Sequence, residues 1–218
     1  MSQRKFSQAK VVILGGPGVG KTAFAVRYIT KRYIGDYDAN REMMYNHKVA
    51  ALRDDISLEI LDTASKMAEE TLERHIKWAD GFVLMFSVTD RASLEEARRL
   101  KEVVYAHRHA EIPIVVVANK SDLLTARAVT EDEGLDLAGE MDCPKYELSV
   151  AEGYAAVGET MEELLCQLKR EYVKSVTMGM SPSAAGQGST QGMEKRSRLY
   201  NMKKALKKRI VRSRSDTF

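Results

Sequence analysis

Eight consecutive residues, Gly15-Gly16-Pro17-Gly18-Val19-Gly20-Lys21-Thr22, match the spacing G-x-x-x-x-G-K-[ST], between the apolar run Val11–Leu14 and a helical pattern. In that setting glycines let backbone N–H groups turn inward around β- and γ-phosphate oxygens, and a helix N-terminus adds a favourable dipole. Lys21 supplies a point charge to the same oxygens. Thr22 offers a hydroxyl to Mg²⁺, a hard cation that takes few protein ligands. The competing reading is a glycine-rich turn that binds nothing, and the strand before with the helix after weighs against it. Asp62 ends the run Leu58–Leu61 and precedes Thr63-Ala64. A carboxylate there can hold Mg²⁺ through a water. An Asp after a strand is commonplace, so it gains meaning only beside the phosphate loop.

A second constellation follows the run Ile114–Ala118: Asn119-Lys120-Ser121-Asp122. The Asp122 carboxylate suits two adjacent N–H donors, which guanine presents and adenine does not. Lys120 can lay its aliphatic stem over the base, and Asn119 can tie this loop to the phosphate loop. In Glu147–Ala151, Ser149 and Val150 are placed to offer backbone N–H to the guanine oxygen. The expected ligands are GTP and GDP with Mg²⁺.

Elements must bring these segments together, and hydrophobic periodicity supplies them. Val11–Leu14, Gly81–Ser87 and Ile114–Ala118 are continuous apolar runs of the length of buried strands, and Lys145–Leu148 is a short last strand. Val49–Leu52 and Leu58–Leu61 flank Arg53-Asp54-Asp55 as a hairpin. Helices are expected over Lys21–Tyr33, from Ser93 with Glu96 as a capping box, from Thr130 with Glu133 likewise, and over Thr160–Val173. Alternating units of this kind imply an α/β domain, mostly parallel, with one antiparallel edge and its ligands at the carboxyl ends of the strands.

The order of Gly15–Thr22, Asp62-Thr63-Ala64, Asn119-Lys120-Ser121-Asp122 and Ser149 resembles the Ras superfamily of small GTPases over about residues 10–174. Arg27-Tyr28-Ile29-Thr30-Lys31-Arg32-Tyr33-Ile34-Gly35 and Trp78-Ala79-Asp80-Gly81-Phe82 look most like its Rerg-like branch (Ras-like, oestrogen-regulated growth inhibitor and its relatives). The resemblance implies a P-loop fold of six strands and five helices that switches between GTP- and GDP-bound forms. Four departures bear on the chemistry. Asn40 stands where the family has its Mg²⁺-binding threonine. Ser65 replaces the glycine whose N–H senses the γ-phosphate, and would disfavour a positive φ. Lys66 replaces the glutamine that orients the attacking water, and a lysine has three donors and no acceptor. Pro17 sits at a position usually glycine. Impaired hydrolysis with retained binding is expected, and no catalytic residue can be named. The alternative is a non-cycling interaction module on the same scaffold; a P-loop kinase would leave Asn119–Asp122 unexplained.

Composition bounds the rest. Of 218 residues, 44% are apolar and 30% charged, as in a soluble globular chain, and no run reaches the roughly 20 residues of a membrane span. Two cysteines, Cys143 and Cys166, exclude a disulfide scaffold or structural zinc, and both are expected inert and buried. The four histidines show no metal spacing and read as surface or capping residues; Glu69-Glu70 and Glu95-Glu96 read as solvated helix starts. The organisation expected is an extension over 1–9, the domain over 10–174, a flexible linker over 175–194 and a basic tail over 195–218.

The tail is either disordered or an amphipathic helix. It holds ten Lys/Arg against Asp216, while the remaining chain is net −6. Leu199, Met202, Leu206 and Ile210 recur at helical spacing, so 195–214 has the chemistry for an anionic membrane, a calmodulin-like groove or nuclear import. No prenylatable cysteine or myristoylation glycine is present, so no lipid anchor is expected. A cytoplasmic monomer with unidentified protein effectors is expected, with nuclear or weak membrane association left open.

Overall fold

The computed structural model describes residues 5–35, 41–108 and 112–177. Six strands form one sheet: β1 (Gln8–Gly15), β2 (Met43–Ala51), β3 (Asp54–Asp62), β4 (Gly81–Ser87), β5 (Ile114–Asn119) and β6 (Lys145–Glu147). Their order is β2-β3-β1-β4-β5-β6, with β2 antiparallel to β3 and every other pairing parallel. Five helices accompany them: α1 (Lys21–Thr30), α2 (Glu69–Trp78), α3 (Arg91–His107), α4 (Glu131–Glu140) and α5 (Ala155–Thr177).

The centre of the sheet is buried on both faces, which is why its central strands read as unbroken apolar runs. In β1, Val11 and Ile13 face one core with Phe24 of α1 and Leu164 of α5. Val12 and Leu14 face the other, with Leu72 of α2, Leu94 of α3 and Leu137 of α4. All seven residues of β4 are buried. The packed unit includes residues before Lys10: Phe6 is buried and stacks on Tyr172 at 5.5 Å between ring centroids. No helix among the described residues is long and apolar enough to cross a membrane.

Element ends differ from expectation where a tertiary partner decides them. α1 stops at Thr30, not Tyr33, because Lys31 turns left-handed (φ 60°) and closes the last turn on the Arg27 carbonyl. Ser93 is not a cap. Asp90 caps α3 by accepting from the Ala92 N–H, while Ser93 is buried inside the helix, accepting from the Ser87 N–H at 2.9 Å and donating to the Asp90 carbonyl at 2.6 Å. Thr130 does form the expected capping box with Glu133. α5 extends at both ends beyond Thr160–Val173. The hairpin turn is Leu52-Arg53, both left-handed (φ 55° and 66°), and Asp54-Asp55 already belong to β3.

His75 is a further correction. It is buried, with its ring Nε2 2.7 Å from a Glu42 carboxylate oxygen, so an acid 33 residues earlier draws it inward. Cys143 and Cys166 are both only half-buried. Asn40 and the tail 195–218 lie outside the described residues.

Candidate functional site

The carboxyl ends of β1, β3 and β5 meet at one end of the sheet, and the loops leaving them carry the predicted residues. β1 pairs with β3 through Ile13 and Asp62, which sets the phosphate-loop motif beside the carboxylate. The loop from Gly16 leads directly into α1. The cap position, Gly20, is left-handed (φ 98°), and a Cβ there would collide with the Asn119 side-chain amide, so only glycine fits. No side chain caps α1, which leaves its first N–H groups available to an anion.

Lys21 is buried and donates to the Gly15 and Gly16 carbonyls at 2.8 and 3.0 Å. Burial lowers its pKa, opposed by the charges of Asp62 and Glu96. Thr22 donates to Asp62 Oδ2 at 2.6 Å. The other carboxylate oxygen, Oδ1, is buried with no hydrogen-bond partner among the described residues. Burial raises the Asp62 pKa, partly offset by the Thr22 hydrogen bond and the Lys21 charge. A desolvated lysine thus faces a desolvated carboxylate whose free oxygen has the hard-donor chemistry that Mg²⁺ takes. The residues present fit that cation.

Asn119 joins the second constellation to the first. Its Nδ2 donates to the Val19 carbonyl at 2.8 Å, and its Oδ1 accepts from the Val150 N–H at 3.1 Å. Lys120 is left-handed (φ 68°), and the Ser121 N–H reaches the Leu148 carbonyl at 3.3 Å. Ser149 is buried, with the Glu152 N–H donating to its hydroxyl at 3.3 Å. Asp122 is exposed at the rim. One amide side chain therefore braces the Val19, Asn119 and Val150 loops.

Beneath these loops runs a buried hydroxyl set that sequence inspection missed. Thr63 donates to the Ile13 carbonyl at 2.7 Å, Ser87 and Thr89 hydroxyls lie 2.8 Å apart, and the Val88 N–H reaches the Asn119 carbonyl at 3.0 Å. Hydroxyls at strand ends were the available signal. Their pairing needs contacts between elements that spacing along the chain does not reveal.

The segment after Asp62 lines a cavity of about 230 Å³ with Gly15, Ala64, Ser65, Lys66, Glu96 and Arg99. Glu96 and Arg99 are paired there at 2.8 Å. Ser65 is absent from the positive-φ positions, so this arrangement makes no left-handed demand on it. Lys66 is exposed, as is Pro17 on the turn of the phosphate loop.

Residues 10–170 match the model of the Ras family. The chain is 38% identical over 169 residues to the human Ras-related and estrogen-regulated growth inhibitor, covering 76% of this chain and 84% of that one. It is 36% identical over 214 residues to the human Ras-like protein family member 11B, covering 94% and 83% of the two chains. A Danio rerio protein, Ras-like protein family member 11A-like, is 39% identical over 171 residues, covering 74% and 68%.

Proposed function

The chain belongs to the Ras family, and we propose that it binds GTP and GDP with Mg²⁺ as a signalling switch that hydrolyses GTP slowly. The observation that carries this reading is the uncapped N-terminus of α1 beside the partnerless, buried Asp62 Oδ1. Gly15–Thr22 hold the phosphates, Thr22 and Asp62 hold the cation, and Asn119, Lys120, Asp122, Ser149 and Val150 hold the guanine. When bound, Mg²⁺ neutralises charge on the phosphate oxygens.

Hydrolysis is attack of water on the γ-phosphate, and this chain's own groups hold it back. Lys66 cannot accept a hydrogen bond from the water, so it cannot orient the lone pair toward phosphorus. Its positive charge still favours bound GTP. An asparagine at position 40 would offer Mg²⁺ an amide oxygen one bond further out than a threonine hydroxyl, and Ser65 narrows the conformations open to the γ-phosphate sensor. A tenfold loss of rate needs only about 1.4 kcal/mol in barrier. Arg41, Met43 and Met44 replace the more acidic surface of classical Ras, so the effectors are of a different kind. Residues 195–214 add a salt-sensitive contact with an acidic partner.

Heat release of nucleotide from the purified full chain, followed by chromatography and single-turnover GTP hydrolysis with Mg²⁺, tests the reading. Retained GTP with slow turnover is expected. GDP with fast turnover would mean that other groups compensate for Lys66. No nucleotide, and none taken up on addition, would leave a non-cycling interaction module.

A further inference from the structure

The phosphate loop has an acid packed against it. Gly16 lies on the first turns of α3: a Cβ added there would meet Glu96 Cγ at 3.6 Å and Ser93 Cα at 3.7 Å. Glu96, expected from its spacing as a solvated helix start, is instead half-buried, with its stem on the loop. Its charge also reaches Lys21: burial lowers the pKa of that lysine, while Asp62 and Glu96 raise it. A carboxylate so placed competes with phosphate oxygens for one ammonium and repels them as well. Asp62 has the same sign, but the cation it suits answers its charge. Glu96 needs a different partner.

Arg99 is that partner. One turn along α3, its Nε donates to Glu96 Oε2 at 2.9 Å and its Nη2 to Oε1 at 2.8 Å, so one planar fork holds both oxygens. A lysine there would be a point charge and would leave one oxygen free to turn. The carboxylate of Glu69, at the start of α2, adds to the negative field on Arg99. Lys66 is the only other basic residue lining the cavity that Glu96 and Arg99 share, and it makes no hydrogen bond or ion pair among the described residues. As a solvent-accessible pair three residues apart on a helix, Glu96 and Arg99 add little to stability. The place of the pair on the loop gives it another use.

We propose that Arg99 is a positioning residue for nucleotide binding, clamping the Glu96 carboxylate so that no uncompensated negative charge faces the phosphates. The inference rests on the reading that Gly15–Thr22 hold GTP and GDP. Arg99 touches neither nucleotide; it acts through Glu96. Without it, Glu96 keeps its place against Gly16 and its charge falls on Lys21, which the phosphates need. GTP carries one more charged phosphate than GDP and loses more by that competition. The pair therefore sets how tightly the loop holds its ligand, and biases which of the two nucleotides it prefers.

Stopped-flow binding and release of GTP and GDP carrying a methylanthraniloyl fluorophore, on the purified full chain with Mg²⁺, tests this. Arg99→Ala should weaken GTP about three- to tenfold at low salt and GDP less, with the GTP loss shrinking at high salt. The double variant Glu96→Gln/Arg99→Ala removes the freed charge and should return GTP affinity to within about twofold of the unsubstituted chain. Arg99→Lys, which keeps the charge and loses the fork, should fall between. A merely structural pair would behave the other way, with the double variant at least as weak as the single one. That result, or unchanged GTP affinity in Arg99→Ala, would overturn the proposal while leaving the GTP reading intact. An unsubstituted chain that takes up neither nucleotide would overturn both. Urea midpoints of the variants, expected to match the unsubstituted chain, keep the comparison among folded proteins.

Discussion

Lys66→Gln is the smallest change that separates binding from hydrolysis. It restores an acceptor for the attacking water and removes a charge from the exposed surface. Single-turnover GTP hydrolysis should rise at least tenfold, with GDP affinity changed by less than a factor of a few. The cysteines offer a residue-scale check on packing. Burial pushes the Cys143 thiol up to about 12, so at pH 8 its thiolate fraction is on the order of 10⁻⁴ and rises only as pH climbs toward that value. Cys166 is raised as well but half-exposed. Iodoacetamide at pH 8 should therefore mark Cys166 first, with Cys143 reacting many-fold more slowly until urea unfolds the chain, as read by peptide mass spectrometry. The phosphate loop was legible because its parts are contiguous and each glycine answers a backbone demand. His75 was not, because nothing near it in the chain announces that Glu42 will meet it.

Among the elements, α3 illustrates why boundaries are harder to read than existence. Ser93 and Glu96 have the spacing of a capping box, yet Asp90 caps the helix and the Ser93 hydroxyl serves the buried Ser87 N–H. Ser93→Ala should thus cost more than a cap. Orphaning a buried donor is worth about 1–3 kcal/mol, against about 1 for Asp90→Ala at the exposed N-terminus. Urea unfolding of the two variants checks that order. Strands β1, β4 and β5 could be read as continuous apolar runs because both their faces are covered. β2 could be read only in part, since its burial alternates along the edge and its turn lies one residue earlier than the charged triplet suggested.

For the whole molecule, two cores share one sheet, and β1, β4 and β5 contribute alternate residues to each. Neither core can open without exposing the other side of the same strands. Trp78, packed against the second core, should therefore report the same urea midpoint by fluorescence as far-UV circular dichroism reports for the whole chain. The Leu52-Arg53 turn carries a further consequence, in the order of folding events. Its shape is the one that favours asparagine and glycine, and two ordinary residues are held in it against a left-handed cost. What holds them comes from far along the chain: Lys169 of α5 donates to the Leu52 carbonyl at 2.7 Å and pairs with Asp54 at 2.8 Å. The hairpin with the shortest loop to close is thereby deprived of its usual kinetic head start, and must wait for the last helix to arrive. Arg53→Gly should relieve the turn and slow unfolding while leaving the refolding rate nearly unchanged, a φ-value near zero at the hairpin tip in stopped-flow measurements.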